Sequence, residues 1–317
     1  MRILITGGNG YVGREVVRQL LPDHEVCVVD SLRYGALRFT PEELARIRFE
    51  EADITDRETM PRVVRSFAPE AIVHLAAVHY IPECEQDPVL AVHTNVVGTV
   101  NVLMASPAEC RVVVASSGAV YKPALEPHEE ARAAVEPSDV YGLSKLHCEG
   151  YVRYLAKARG LSAVVVRLFN VVGPGETNPH LLPELVAQLK AGKTRIDLGN
   201  LFPRRDYIHV QDAASGFVAT IFGPHPAPGE TATVNLGTSR AHSVAEIIEK
   251  LQSISGIRFE VNQDQTRVRA TDRPILAADI RRMRAQFQWR PRRSIDDALA
   301  DLWRDPDLSE SLMAKYR

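Results

Sequence analysis

Cysteine is scarce in this chain and its four thiols are scattered. Cys27, Cys84, Cys110 and Cys148 show none of the close pairing of a zinc or disulfide framework. They read as reduced thiols of a cytoplasmic protein, and no metal ligand set is expected. An excess of one charge is also lacking. Lys and Arg number 38 against 40 Asp and Glu, for a net charge of -2, which leaves no electrostatic footprint for nucleic acid. The Arg204-Arg205, Arg281-Arg282 and Arg292-Arg293 pairs are short and interleaved with acids. No apolar run reads as long enough to span a bilayer, so no membrane partner is expected. Met1-Arg2 leads straight into Ile3-Leu4-Ile5, too short for a signal core. There is no internal repeat and no low-complexity tract. What remains is an ordinary soluble profile: 317 residues, 45% hydrophobic, enough for one large domain or two ordinary ones.

What is present is an alternation of short apolar runs with helical patterns. Arg2 to Thr6 reads as a buried parallel strand. Gly7, Gly10 and Gly13 follow at once, around Tyr11 and Val12, and a helical pattern begins. Glycines between strand and helix permit a tight turn and close approach to a pyrophosphate, and the helix N-terminus favours its charge. A second strand, Glu25 to Val29, ends in Asp30, at the spacing of an acid that bonds an adenosine ribose diol. That acid favours NAD over NADP; Arg33, a basic residue just beyond it, tempers this preference, since such a residue can accept a 2′-phosphate. A third strand, Arg46 to Glu51, leads to Asp53 and Ile54, with Asp53 placed toward an adenine amino group. A fourth, Ala71 to Leu75, continues as Ala76-Ala77, small enough for a dinucleotide to lie close. His74 reads as a satisfied core histidine. Glu85 to Leu103 reads as a helix carrying Asn95, whose amide must find partners on a packed face. A fifth strand, Arg111 to Ala115, delivers Ser116-Ser117 to the crevice end, and Ala163 to Arg167 is the sixth.

Strand–helix alternation of this kind predicts an α/β fold: a Rossmann-type doubly wound parallel sheet. After Gly173 the pattern changes. Pro and Gly become frequent and strands fewer, so residues 1–170 are expected to be the dinucleotide domain and 171–317 a smaller α+β lobe interleaved with it. Helices are expected at Pro179–Ala191, Gln211–Phe222, Val244–Ser253, Asp279–Phe287 and Ile295–Trp303, and strands at Thr233–Gly237 and Ile257–Val261.

Tyr141 and Lys145 lie four residues apart, on one face of a predicted helix. A phenol beside a fixed ammonium can become a base. Lowering its pKa by about three units takes roughly 4 kcal/mol, within reach of Lys145 and a cationic ring in a dry site.

Taken together, the glycine array, Asp30, Asp53, Leu75-Ala76-Ala77, Asn95 within Asn-Val-x-Gly-Thr, Ser117, Tyr141 with Lys145, Arg167-Leu168-Phe169-Asn170 with Gly173, and Arg205-Asp206-Tyr207-Ile208 carry a resemblance over nearly the whole length. The chain resembles the extended short-chain dehydrogenase/reductases, in their nucleotide-sugar epimerase/dehydratase branch. The resemblance implies NAD as cofactor, Tyr141 as acid/base, Lys145 on the nicotinamide ribose, and Ser117 on the reacting sugar hydroxyl. The phenolate would take the C4 proton while NAD⁺ takes the hydride, leaving a 4-keto sugar. Asn170, Arg205, Arg269 and Asp272 are implied as contacts of the diphosphate, adjacent sugar and nucleotide ribose. His180 stands where relatives have a substrate-contacting amide. Relatives also dimerise through helices of the first domain, so a homodimer through Glu85–Leu103 and Val140–Arg159 is expected.

The dehydratases of this branch carry Asp-Glu after the hydroxyl residue, and the decarboxylases a Glu in the second position. Here the residues are Gly118-Ala119. With neither acid present, a 4-epimerase is the expected chemistry, most simply on a UDP-hexose. The Leu198-Gly199-Asn200-Leu201 loop resembles GDP-sugar members as much, and Val78 to Cys84 is an unusual sugar wall with Cys84 a neutral filler. A 4-keto-sugar reductase and a non-catalytic dinucleotide sensor are the alternatives.

Overall fold

The computed structural model describes the chain except residues 177, 266, 267, 269–272, 316 and 317. Seven strands form one sheet: β1 (Arg2–Thr6), β2 (Glu25–Asp30), β3 (Ile47–Glu51), β4 (Ala71–His74), β5 (Arg111–Ser117), β6 (Ser162–Leu168) and Thr231–Leu236. Their order across the sheet is Thr231–Leu236, β6, β5, β4, β1, β2, β3, and every neighbouring pair is parallel. Ile5 of β1 sits opposite Val28 and Val73. Because helices cover both faces, alternate residues of one strand enter different cores. Ile3 and Ile5 pack with Val16, Val17 and Phe217, while Leu4 packs with Met60, Val63 and Val102. Strands buried on both faces read as continuous apolar runs, which is why these were legible. The chain turns outward in opposite directions from β1 and β4, and a crevice opens there at the carboxyl ends of the strands.

The second lobe has its own small sheet. Arg204–His209 pairs with Ala241–Ser243, Ile275–Leu276 and Asn170–Val172, and Arg195–Leu198 pairs with Glu260–Gln263. Its core gathers Leu185, Val186, Ile196, Ile247, Leu251 and Leu299. Helix Val210–Phe222 and strand Thr231–Leu236, which come after Arg204–His209 in the chain, pack with the large sheet and its core.

Three local readings are corrected. The expected single helix Glu85–Leu103 is broken at Asp87, which caps the next turn by accepting from the Leu90 N–H; Pro88 follows, and its missing N–H suits a helix start. The chain then widens into a π-type turn at Val92–Val97 before Gly98–Ala105, which turns the Asn95 amide inward. The stretch Pro88–Ala105 does have the length and hydropathy of a membrane span, contrary to expectation. It is a layer of this fold, packed against helices Thr59–Phe67 and Val140–Arg159, with Asn95 and Thr99 buried in hydrogen bonds. A short helix, Glu310–Ala314, was not foreseen.

Candidate active site

A cleft of about 1070 Å³ opens between the two lobes. Its floor is the glycine array. Gly7 has φ +71°, and a Cβ there would lie 2.6 Å from the Ala76 nitrogen; a Cβ on Gly13 would lie 2.2 Å from the Gly7 carbonyl oxygen. Both positions therefore exclude any side chain, and Gly7 also needs the left-handed backbone. Helix Tyr11–Leu20 starts here with no side-chain cap on its first N–H groups, as an anion site requires. Tyr11, Val12, Ile54, Leu75, Ala76 and Ala77 line the walls. The Tyr11 hydroxyl donates to the Gly173 carbonyl at 3.0 Å, joining the lobes.

Asp30 stands at the far end. Its carboxylate accepts from the Asn9 and Leu32 N–H groups, each at 3.0 Å. Burial pushes its carboxyl up, and those two bonds oppose the push. Asp53 also lines the cleft and accepts from the Thr55 N–H and hydroxyl, both at 2.8 Å. Arg33 turns to Glu83 at 3.1 Å, so its charge is directed to a carboxylate of the chain. The glycine floor, uncapped helix start and ribose-end acid fit a dinucleotide.

At the centre, Asp139 caps helix Val140–Arg159 by accepting from the Gly142 N–H at 2.7 Å. This sets Tyr141 and Lys145 in the first turns, both lining the cleft. Lys145 donates to the Ala115 carbonyl of β5 at 2.9 Å and is 2% exposed. Ser117 accepts from the Ala119 N–H at 3.1 Å and lines the cleft with Tyr141. The three predicted catalytic groups thus converge. The expected direction of the Tyr141 shift is not observed. Burial pushes the phenol well above its ordinary value, with the Ser117 bond opposing, and burial pushes the Lys145 ammonium down. Desolvation dominates both groups in the protein alone.

Asn95 lies behind the cleft wall rather than on it. It is fully buried. It accepts from the Val78 N–H at 2.8 Å and donates to the Val78 carbonyl and the Ser144 hydroxyl, both at 2.9 Å. It thereby ties the segment after β4 to the Tyr141 helix. His74 is the core histidine foreseen, between the Thr6 and Thr99 hydroxyls at 2.6 and 2.9 Å. Cys84 packs with Val78 and Ala91, and burial pushes its thiol up to about 12, so it is a neutral filler.

On the substrate side, Asn170, His180 and Arg205 all line the cleft. Arg205 donates to the carbonyls of Arg204 at 3.0 Å and Arg273 at 2.7 Å. Arg269 and Asp272 lie outside the described residues. Arg273 was missed. It is buried and donates to Asp139 at 2.8 Å and to the Ala119 carbonyl at 3.0 Å, so it fastens the second lobe to the cap of the Tyr141 helix. The Asp139 cap itself was readable, as an Asp just before a helical run; its partner, 134 residues on, was not. Position 118 also has a steric reason for lacking an acid: a Cβ on Gly118 would lie 3.1 Å from the Phe169 ring.

Comparison with known proteins agrees with this geometry. Residues 3–237 match the model of the NAD dependent epimerase/dehydratase family. A UDP-glucose 4-epimerase of Neisseria meningitidis serogroup C is 30% identical, over 96% of each chain. A GDP-6-deoxy-D-mannose reductase of Pseudomonas aeruginosa is 26% identical, again over 96% of each. The crystal structure of Thermus thermophilus UDP-glucose 4-epimerase in complex with NAD superposes with a TM-score of 0.82 at 28% identity, covering 95% of this chain and 97% of that one. The chain belongs to the NAD-dependent epimerase/dehydratase family, an extended short-chain dehydrogenase/reductase group, and NAD is its cofactor.

Proposed function

We propose that the protein is a nucleotide-sugar 4-epimerase acting on a UDP-hexose. The observation that carries this reading is the composition of the centre. Tyr141 and Ser117 line the cleft together beside the dinucleotide cradle, and positions 118 and 119 next to them carry Gly and Ala, the former against Phe169. That arrangement moves a proton at one sugar hydroxyl and offers no acid at those positions for elimination or decarboxylation. NAD, when bound, supplies reversible two-electron oxidation and a positive ring close to the phenol. Ser117 holds the reacting hydroxyl, Tyr141 takes its proton and later returns it, and Lys145 stays fixed by Ala115. Asn170, Arg205 and His180 face the nucleotide-sugar end, where Arg suits phosphate oxygens; Arg269 and Asp272 are proposed to complete it. The UDP-sugar preference is supported by the epimerase relatives.

The test is a substrate panel. The purified protein, with no added cofactor, is expected to release NAD on denaturation and to interconvert UDP-glucose and UDP-galactose, or a related C4 pair, with NMR identifying products. No interconversion of any UDP- or GDP-hexose pair would remove the reading. The Pseudomonas relative favours a second one, a nucleotide-4-keto-sugar reductase. It is distinguished by stoichiometric consumption of added NAD(P)H.

We also infer a homodimer. Leu143, Tyr151 and Tyr154 are exposed at helical spacing on Val140–Arg159, and Val97 and Met104 are exposed beside the helix that packs on it. Large apolar groups grouped this way are usually covered. Light scattering is expected to give twice the chain mass, and Tyr154→Asp with Met104→Asp the monomer; a monomeric wild type would refute the pairing.

A further inference from the structure

His79, Glu176 and His180 converge on one wall of the cleft. His79 comes from the segment after β4. Glu176 and His180 come from the loop between strand Asn170–Val172 and helix Leu181–Lys190. One donor atom from each, two imidazole nitrogens and one carboxylate oxygen, lie within 4.8 Å of one another. Glu176 is 7% exposed and the two histidines are half-buried. We propose that this triad binds one divalent transition-metal ion of the zinc class, with the remaining coordination positions open to the cleft.

The donor set selects the ion. Two imidazoles and a carboxylate suit zinc and its first-row neighbours, whereas magnesium and calcium take oxygen ligands. Zinc holds such donors at about 2.0–2.2 Å, so the triad needs to contract by roughly an ångström, and three protein ligands leave a position for water or substrate.

A single residue organises the ligands. Asn178 donates through its backbone N–H to Glu176 Oε1 at 2.9 Å, its carbonyl accepts from the His180 N–H at 2.7 Å, and its side-chain amide meets His79 Nε2 at 3.0 Å. The edge of the Tyr80–His180 ring contact, 5.3 Å between centroids, orients the second imidazole. Metal loading displaces the Asn178 amide from His79 Nε2.

Placement gives the ion a task. The triad lines the same cleft as the glycine floor, Tyr11, Tyr141 and Lys145. A buried carboxylate there opposes any diphosphate entering the cleft; a bound dication reverses that sign and offers itself to a hydroxyl or phosphate oxygen.

The test uses the whole protein after dialysis against a chelator, with metal alone as probe. It requires neither a nucleotide sugar nor turnover, so its failure is separate from failure of the epimerase reading. Titration with Co²⁺ is expected to produce a visible d–d band saturating at one ion per chain, displaced by Zn²⁺ and unmoved by Mg²⁺. The chain has ten histidines, so His79→Ala with His180→Ala is the control for incidental binding. It is expected to lose the band, and Glu176→Gln to weaken affinity at least tenfold while melting as the wild type does. A wild type without a saturating band overturns the proposal. So does a double variant, folded by circular dichroism, that keeps the wild-type stoichiometry and affinity.

Discussion

Replacing Tyr141 by Phe is expected to lower turnover by about 10²–10⁴-fold, the range of a positioned acid/base, while NAD content stays at the wild-type level. The geometry separates the two readouts. The substitution removes one oxygen facing the cleft beside Ser117, and leaves the Gly7–Gly13 floor, Asp30 and Lys145 with their own contacts. The pH dependence has a definite sign. Burial raises the phenol, so at neutral pH the protein alone holds it protonated, and the form that accepts a proton grows as pH rises. Wild-type turnover is expected to climb on the acid side of its profile, and the Phe variant to lose that slope. Steady-state rates across pH, with NAD measured on the denatured protein, check both. Unchanged turnover with a preserved slope would remove Tyr141 from the chemistry.

What was legible follows from the range over which each feature is determined. Gly7, Gly10, Gly13 and Asp30 act within one strand–loop–helix–strand unit, where spacing in the chain is nearly spacing in the molecule. Tyr141 and Lys145 are one helical turn apart. The apolar runs of β1, β2 and β4 announce strands because both faces are covered. The direction of the Tyr141 shift was not legible, since it depends on how completely the second lobe and Cys84 wall it in. Asn95 was rightly read as an amide needing partners. That those partners are Val78 and Ser144, 17 and 49 residues away, is a tertiary fact. Arg273 with Asp139, and His79 with Glu176 and His180, join positions about a hundred residues apart across the cleft, so no local pattern marks them. The break at Asp87-Pro88 was there to be read in the proline.

The largest stability effect is expected at a pair that the chain order hides. Glu149, in the middle of the Tyr141 helix, and Arg167, on β6, are 1% and 5% exposed. They meet bidentately, Arg167 Nε and Nη2 donating at 2.8 and 2.7 Å. The Ser116 hydroxyl donates to the same carboxylate at 2.6 Å. The Arg167 guanidinium lies 4.6 Å over the Tyr121 ring, which stacks on His128 and donates to Asn235 at 2.8 Å. Burial would raise the Glu149 carboxyl, but the Arg167 bonds outweigh it and hold it below the ordinary value. Glu149→Ala leaves Arg167 charged, buried and without its counter-ion, at a cost of about 3–5 kcal/mol. Glu149→Leu combined with Arg167→Met removes both charges and is expected to recover most of that loss, because the pair's attraction largely offsets its desolvation. The sign with pH also follows. A carboxyl depressed in the folded state stabilises above its unfolded pKa, and the contribution is lost as pH falls through the folded value. The alanine variant should therefore show a smaller stability loss on acidification than the wild type. Since Ser116 precedes Ser117 on β5, the same variant is expected to lower turnover even where it remains folded. Urea unfolding of the wild type, single and double variants at neutral and acid pH reads all three. A double variant as unstable as the single one would mean that Arg167 is held by its contacts with Tyr121, and that Glu149 acts through Ser116 alone.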